Sequence, residues 1–551
     1  MKVVIVGGVA GGASAAARAR RLSEEAEIVV FERGPDVSFA NCGLPYYIGG
    51  EIVERDKLLV VTPQRLRERY KLDVRTSTNV ESVDRQSKTV TVRDLVTKTE
   101  SVEAYDKLIL ATGAAPLRPT IPGVNLPGVF TLRTMQDTDR IKETLDRGAT
   151  DAVVVGGGFI GLELIENLVR RGMRTTLVQL QDQVLSPFDK EMTSPILVHL
   201  REKGVEVVLG QTAETIETTP TGLTVTLTSG RALPTQLVVL GIGVRPENQL
   251  ATQAGLETGP RGGIRVNDHL QTSDPDVYAV GDAIEVRDFV TGKAAQVPLA
   301  GPANRQGRIA ADHIFGRDSR YRGTQGTAIL RVFDLTAAMT GSSERTLRAA
   351  NLSYRKVYTH PAHHAGYFPG AQQMTLKLLF DPQDGRILGA QAVGGDGIDK
   401  RIDVLAIAIQ GRMTVFDLEE AELAYSPQYG SAKDPINMLG FVASELLRGG
   451  HPQISVEELN SLTGETDLAR RPLVVDVRTP TEFAAGHLPE AVNVPVDELR
   501  SRLNELSRDR RLVTYCQVGQ RGYLALRILR QSGFDAVNLS GGYKTWRLYH
   551  S

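Results

Sequence analysis

Short apolar runs recur along this chain, and each stops at a glycine or a polar turn. Residues 3–6 read Val-Val-Ile-Val, a run without alternation, which predicts a strand buried on both faces. The turn Gly7-Gly8-Val9-Ala10-Gly11-Gly12 follows, then a small-residue helix over 13–22 and a second strand over 27–31 ending at Glu32. The same order returns at 151–155, with Gly156-Gly157-Gly158-Phe159-Ile160-Gly161, a helix from 162, and a strand ending at Gln179. Two more strands run into tight turns: 108–111 into Thr112-Gly113, and 276–280 into Gly281-Asp282. Further on, 374–380 has strand character, 381–385 is a turn, and 386–392 returns. Gly449-Gly450-His451-Pro452-Gln453 breaks the pattern, which restarts as about 100 residues of α/β character. There a strand is expected at 472–478, another at 512–515 running into Cys516, and a helix over 523–530.

Strand, glycine turn and helix together make an anion site. Glycines let the backbone approach a pyrophosphate, which rests on the helix N-terminus, and an acid ending the next strand accepts from a ribose hydroxyl. In the first unit Gly7, Gly8, Gly11, Gly12 and Glu32 take these places, with Val9 at the middle position of the fingerprint. In the second, Gly156, Gly158 and Gly161 match it fully. Two such units imply two dinucleotides, and a flavin with a nicotinamide is the usual pair. Gln179 stands where an acid would favour a 2′-hydroxyl and repel a 2′-phosphate, so NADH is expected and NADPH stays open.

Length and composition narrow the class. With 551 residues the chain should form three or four domains. A formal net charge of -1 gives no electrostatic case for nucleic acid or an anionic membrane. There is no apolar stretch of 18 residues to span a bilayer, and residues 1–6 lead into arginines rather than a signal-cleavage site. Two cysteines suit a reducing, cytoplasmic setting and exclude a disulfide framework. His360, His363 and His364 have no cysteine or carboxylate partner at ligand spacing, so no metal is expected.

The Ala111-Thr112-Gly113 turn and the Gly281-Asp282 ending resemble those of the FAD-dependent pyridine nucleotide-disulfide reductases, over roughly residues 1–450. By that resemblance Thr112, Gly113, Gly281 and Asp282 belong to the FAD site, Asp282 holding the ribitol chain. The implied domains are FAD-binding 1–117 and 251–326, NAD(P)H-binding 118–250, and dimerisation 327–449. Most members carry a cysteine pair on the first long helix; this chain has Cys42 alone, in Ser38-Phe39-Ala40-Asn41-Cys42-Gly43-Leu44-Pro45. That segment resembles the single-cysteine branch: coenzyme A-disulfide reductases, NADH oxidases and NADH peroxidases. A thiolate ahead of a helix N-terminus is expected to have a lowered pKa. Lacking a resolving partner, it would cycle through a mixed disulfide, a persulfide or a sulfenic acid. The oxidases and peroxidases usually place a histidine in the first glycine turn, and Gly8-Val9-Ala10-Gly11 has none. The coenzyme A branch implies Tyr367 and Tyr425 reaching across a homodimer toward the cysteine. It also implies Arg18, Arg21, Lys71 and Lys433 at coenzyme A phosphates, and Ser38, Asn41 and Asn304 at substrate contacts.

Residues 455–551 resemble a single-domain rhodanese, in Asp476-Val477-Arg478, in Gly486-His487-Leu488-Pro489-Glu490-Ala491, and in the loop from Cys516 to Arg521. Successive backbone N–H groups of such a loop form an anion nest for a thiolate or persulfide, and Arg521 would add charge. The fold class expected is therefore α/β: two dinucleotide-binding (Rossmann-like) domains, an α+β dimerisation domain and a C-terminal α/β rhodanese-like domain. The expected function is FAD-dependent NAD(P)H reduction of coenzyme A persulfide or polysulfide, with Cys42 as redox nucleophile, Cys516 as sulfane-sulfur carrier, and hydrogen sulfide released. Coenzyme A-disulfide reduction with an accessory rhodanese is the alternative. A thiosulfate-type sulfurtransferase and an oxygen-consuming NADH oxidase represent other classes.

Overall fold

The computed structural model describes residues 1–465, 467 and 471–550. The chain divides into two compact units, one of Met1–Val184 with Lys203–Gly326, the other of Leu185–Glu202 with Thr327–Ser551.

The first unit contains the same five-stranded parallel sheet twice. In one, Val277–Ala279, Lys107–Leu110, Lys2–Val6, Glu27–Phe31 and Asp73–Arg75 lie side by side in that order. In the other the order is Glu206–Leu209, Arg174–Gln179, Asp151–Val155, Leu237–Leu240 and Val129–Phe130. Val3, Val4 and Ile5 are buried, as are Val153, Val154 and Val155, which is why neither run alternates. Both glycine turns close earlier than expected: the helices are Ala10–Leu22 and Phe159–Arg170, not 13–22 and from 162. The glycines are spent on close packing inside the first helical turn. A Cβ on Gly12 would lie 1.8 Å from the Gly7 carbonyl oxygen, and one on Gly161 would lie 2.0 Å from that of Gly156.

The second unit joins an antiparallel sheet to a parallel one. The antiparallel strands are, in order, Ala328–Val332, Leu335–Gly341, Ile387–Gly394, Thr375–Phe380 and Arg355–Thr359. The parallel sheet has Ala536–Leu539, Leu512–Tyr515 and Leu473–Asp476 at its centre, with Gln453–Ile454 and Val492–Asn493 at its edges. The last helix, Gly542–His550, ties the two together. Tyr549 and Tyr358 share a hydroxyl hydrogen bond of 2.8 Å, His360 Nε2 meets Thr545 Oγ1 at 2.8 Å, and Lys356 pairs with Glu457 at 2.6 Å. Leu185–Glu202 falls inside the range 118–250 yet packs here, Ser194 donating to the Leu548 carbonyl at 2.7 Å.

Beneath that junction Lys377 is fully buried and pairs with Asp189, Glu191 and Glu344. These three carboxylates are close enough to share a metal ion, but the ammonium already occupies that role. Burial by itself would raise Glu344; Lys377 and Lys356 outweigh it and hold the carboxyl at about 2. No helix among the described residues is long and apolar enough to cross a membrane.

Candidate functional sites at two cysteines

Cys42 lies in the 3-10 turn Asn41–Gly43, which runs without a break into the short helix Leu44–Ile48. It is exposed, and the sequence around it folds as expected, Pro45 taking the first turn. The expected lowering of the thiol pKa is not found. Desolvation among the surrounding protein atoms pushes it up, and Glu163 and Asp282 push the same way; a local backbone hydrogen bond opposes them. A helix of five residues supplies too little dipole to outweigh two carboxyl groups.

Those two acids come from elsewhere in the first unit. Glu163 projects from the helix Phe159–Arg170, against which the Leu44–Ile48 helix packs. Burial pushes its carboxyl up to about 7, with the Tyr46 hydroxyl, 3.4 Å away, pulling the other way. Asp282 is likewise raised by burial, opposed by Arg133 at 3.8 Å.

The two dinucleotide units close in the same manner. Glu32 Oε2 accepts from the Gly8 N–H at 2.8 Å, while Oε1 accepts from Gly34. Gln179 Oε1 accepts from the Gly157 N–H at 2.8 Å, and its amide donates to the Gln183 carbonyl. A carboxylate and a carboxamide thus play one structural part in two sheets. Thr112 donates to the Glu247 carbonyl at 2.6 Å, and Gly113 takes φ 73, as a tight turn requires. The Gly281 N–H is held by Gln306 Oε1 at 2.7 Å. On Gly7 a Cβ would lie 2.3 Å from the Ala111 carbonyl oxygen, and on Gly156 it would lie 2.4 Å from that of Gly241. Both turns therefore keep a side-chain-free backbone facing the helix start, which fits a pyrophosphate.

Cys516 is buried at the end of strand Leu512–Tyr515. The Gly519 N–H donates to its sulfur at 3.2 Å, Gly519 having φ 100 as the cap of helix Gln520–Gln531. That helix begins three residues before the expected 523. The loop is pinned from behind: Tyr543 and Lys544 N–H groups donate to the Cys516 and Gln517 carbonyls at 2.8 and 2.9 Å. A Cβ on Gly542 would lie 2.3 Å from the Cys516 carbonyl oxygen. Arg521 does not offer an unshared charge. Its guanidinium grips Glu482 with bonds of 2.8 and 2.6 Å, and that pair holds the Glu482 carboxyl at about 2.

Comparison with known proteins agrees with this division. Residues 1–307 match the family model for pyridine nucleotide-disulphide oxidoreductases, 327–434 its dimerisation domain, and 455–548 the rhodanese-like domain. A coenzyme A disulfide reductase of Staphylococcus aureus is 37% identical over 444 residues, covering 80% of this chain and 99% of that protein. The chain belongs to the pyridine nucleotide-disulphide oxidoreductases. Two solved structures span both parts. Reduced CoADR-RHD of Bacillus anthracis is 47% identical with a TM-score of 0.96, covering 99% of this chain and 98% of that one. An NAD-dependent persulfide reductase from A. fulgidus is 38% identical with a TM-score of 0.92, covering 99% and 100%. The protein is thus an oxidoreductase of this FAD- and NADH-dependent family, with a rhodanese-like domain at its C-terminal end.

Other expected contact residues of this oxidoreductase fall in varied settings. Arg18 is committed to Asp312, with bonds of 2.6 Å, while Arg21 and Lys71 are exposed. Ser38 takes φ 51, Asn41 is half-buried beside Cys42, and Asn304 Oδ1 accepts from Ser14 at 2.6 Å. In the second unit Lys433 is exposed. Tyr367 and Tyr425 are 76% and 49% exposed, and their hydroxyls meet at 3.0 Å, so two phenols distant in sequence form one surface pair. Gly158 has open space about its Cα. The sequence reading did not single out Glu163, Tyr46, Arg133 or Glu482. Glu482 alone left a signal, the Thr479-Pro480-Thr481-Glu482 capping box.

Proposed function

We propose that this oxidoreductase is an NAD(P)H-dependent coenzyme A persulfide or polysulfide reductase, with Cys42 as redox nucleophile and Cys516 as carrier of sulfane sulfur. The observation that carries this reading is the intact Cys516 loop, a sulfur held by a backbone N–H, in the same chain as Cys42. A plain disulfide reductase has no use for it.

Residues of the glycine turns, with Glu32, Thr112, Gly113, Gly281 and Asp282, would hold FAD, and Gly156, Gly158, Gly161 and Gln179 the nicotinamide nucleotide. The bound flavin supplies passage of an electron pair from NADH to a disulfide at Cys42. The Cys42 thiolate attacks the carbon-bound sulfur of the persulfide; the S–S bond breaks and HS⁻ leaves. Two electrons and a proton then return the thiolate and free coenzyme A. The net reaction balances as CoA-SSH + NADH + H⁺ → CoA-SH + H₂S + NAD⁺. Upstream, Cys516 would accept an outer sulfur as a persulfide and yield it to the coenzyme A thiolate. Tyr367 and Tyr425 would serve Cys42 of a second copy in a homodimer, donating hydrogen bonds to departing sulfur. Arg18, Arg21, Lys71 and Lys433 would face coenzyme A phosphates; for Arg18 this requires sharing with Asp312. A cytoplasmic setting suits two unpaired thiols.

The second reading, coenzyme A-disulfide reduction, is favoured by the Staphylococcus aureus relative, which matches 80% of this chain. Anaerobic NADH oxidation with coenzyme A persulfide and with coenzyme A disulfide separates the two. A clear preference for persulfide, lost in Cys42→Ser, supports the first. Preference for disulfide, unchanged in Cys516→Ser, supports the second.

A further inference from the structure

The most telling group outside the established cysteines is the acid beside the first of them. Residues 41–49 form one continuous helical run, so Cys42 and Tyr46, four apart, share a face. The Tyr46 hydroxyl donates to Glu163 Oε1 at 3.4 Å. Close packing fixes the register of the two helices. A Cβ on Gly49 would lie 1.9 Å from Asn167 Oδ1, and the Asn167 amide donates to the Glu163 carbonyl at 2.8 Å. Cys42, Tyr46 and Glu163 therefore form one cluster, set by the contact of the two helices.

We propose that Glu163, held by Tyr46, donates the proton to the thiolate that departs when Cys42 attacks a disulfide or persulfide. This rests on the reading of Cys42 given above. The step is an exchange followed by a proton transfer. Cys42–S⁻ bonds to one sulfur of R–S–S–R′, the S–S bond breaks, R′S⁻ leaves, and Glu163 passes its proton to give R′SH and a carboxylate. Replacement of that proton from solvent resets the site.

The charged surroundings suit a carboxyl that carries its proton near neutrality. Glu163 stands at about 7, raised first by burial, with Tyr46 lowering it and Glu166 raising it. Glu166 is itself paired with Arg170 at 2.8 Å, and Arg170 also with Glu51 at 2.7 Å. On the Cys42 side the other acid is Asp282, with Arg133 beyond it; from the helix Met135–Asp146, Lys142 lies over Tyr47 at 5.7 Å. An ionised Glu163 holds the proton on Cys42, whereas a protonated Glu163 permits the thiolate. The productive pair is thus thiolate with carboxylic acid, and a single proton serves both attack and departure.

Glu163→Gln separates the two roles. The test uses holoenzyme in a Cys516→Ser background, so that iodoacetamide reads Cys42 alone. At pH 8 the variant should alkylate faster, by ~2-fold or more, because a neighbouring negative charge is gone. Its NADH-coupled reduction of coenzyme A disulfide should fall by about 100-fold, the loss expected of a general acid. Tyr46→Phe should keep turnover at low pH and shift the alkaline limb of its pH profile upward, since the bond that lowers Glu163 is removed. Opposite movement of alkylation and turnover supports the proposal. Unchanged turnover in Glu163→Gln, or alkylation and turnover falling together, overturns it. If turnover survives in Cys42→Ser, the reading of Cys42 fails and this inference with it; loss in Cys42→Ser with none in Glu163→Gln overturns the proton donor alone.

Discussion

Cys42 and Cys516 show two ways of housing a reactive sulfur. Cys42 is exposed on a short helical run, and two acids from other parts of its unit crowd the thiol and push its pKa up. Cys516 is buried in a loop whose own backbone meets the sulfur, and the nearest acid, Glu482, is spent on Arg521. Distant acids govern the first site, whereas the second is built by one glycine in a left-handed conformation and a helix start. Chemistry at Cys42 should therefore answer to changes far away in sequence, and chemistry at Cys516 to changes within a few residues or in the helix behind it.

The largest test of this contrast is to remove each sulfur. Cys42→Ser should lower NADH-dependent reduction of coenzyme A disulfide by ~1,000-fold or more, as loss of a nucleophile does. Cys516→Ser should leave that reaction intact and abolish sulfur transfer from thiosulfate to cyanide. Equal loss in both variants would erase the distinction.

Next is the backing of the Cys516 loop. Gly542 takes φ 64, and a Cβ there would press on the Cys516 carbonyl. Gly542→Ala should destabilise the C-terminal domain by ~2 kcal/mol and depress sulfurtransferase rate, with Cys42 alkylation unaltered. Thermal unfolding and the two assays read this together.

Lys377→Met probes the shared foundation beneath the rhodanese-like domain. Three buried carboxylates would lose their common cation, a cost of about 3–5 kcal/mol, visible as a lower Tm. Cys516 reactivity should suffer before Cys42 reactivity, because the last helix that pins the Cys516 loop rests on this cluster through Tyr549 and Tyr358.

The smallest effect is with pH. Burial lowers His360 to about 3 and His451 to about 4. A histidine depressed below its ordinary 6.5 stabilises the fold fully above that pH. The contribution is lost as pH falls, down to about 3 for His360 and about 4 for His451. The second unit should thus weaken on acidification below 6.5. Phe substituted for His360 should flatten the slope of Tm against pH, while an unchanged slope would remove His360 from the account.

Much of this was readable along the chain. Both dinucleotide units announce themselves because a buried parallel strand, a glycine turn and a helix are each local, and their order alone specifies the βαβ form. The Cys516 loop is legible for the same reason: its glycine, its helix and its arginine lie within six residues. Helix starts were misplaced by three residues because glycines that look like turn residues sit inside the first helical turn, where only close packing explains them.

Tertiary structure decided the electrostatics. Local sequence points to a lowered thiol at Cys42, but Glu163 is 121 residues away and Asp282 is 240 away, and both arrive only through helix and sheet packing. Arg521 reads as free charge until the fold brings Glu482 onto it. Tyr367 and Tyr425, 58 residues apart, become one hydroxyl pair. Backbone conformation depends on neighbours along the chain, so the sequence by itself determined the elements and the two sulfur-bearing loops. Coulomb and desolvation effects depend on distance through space, so which charges act on each sulfur was settled only when the chain folded.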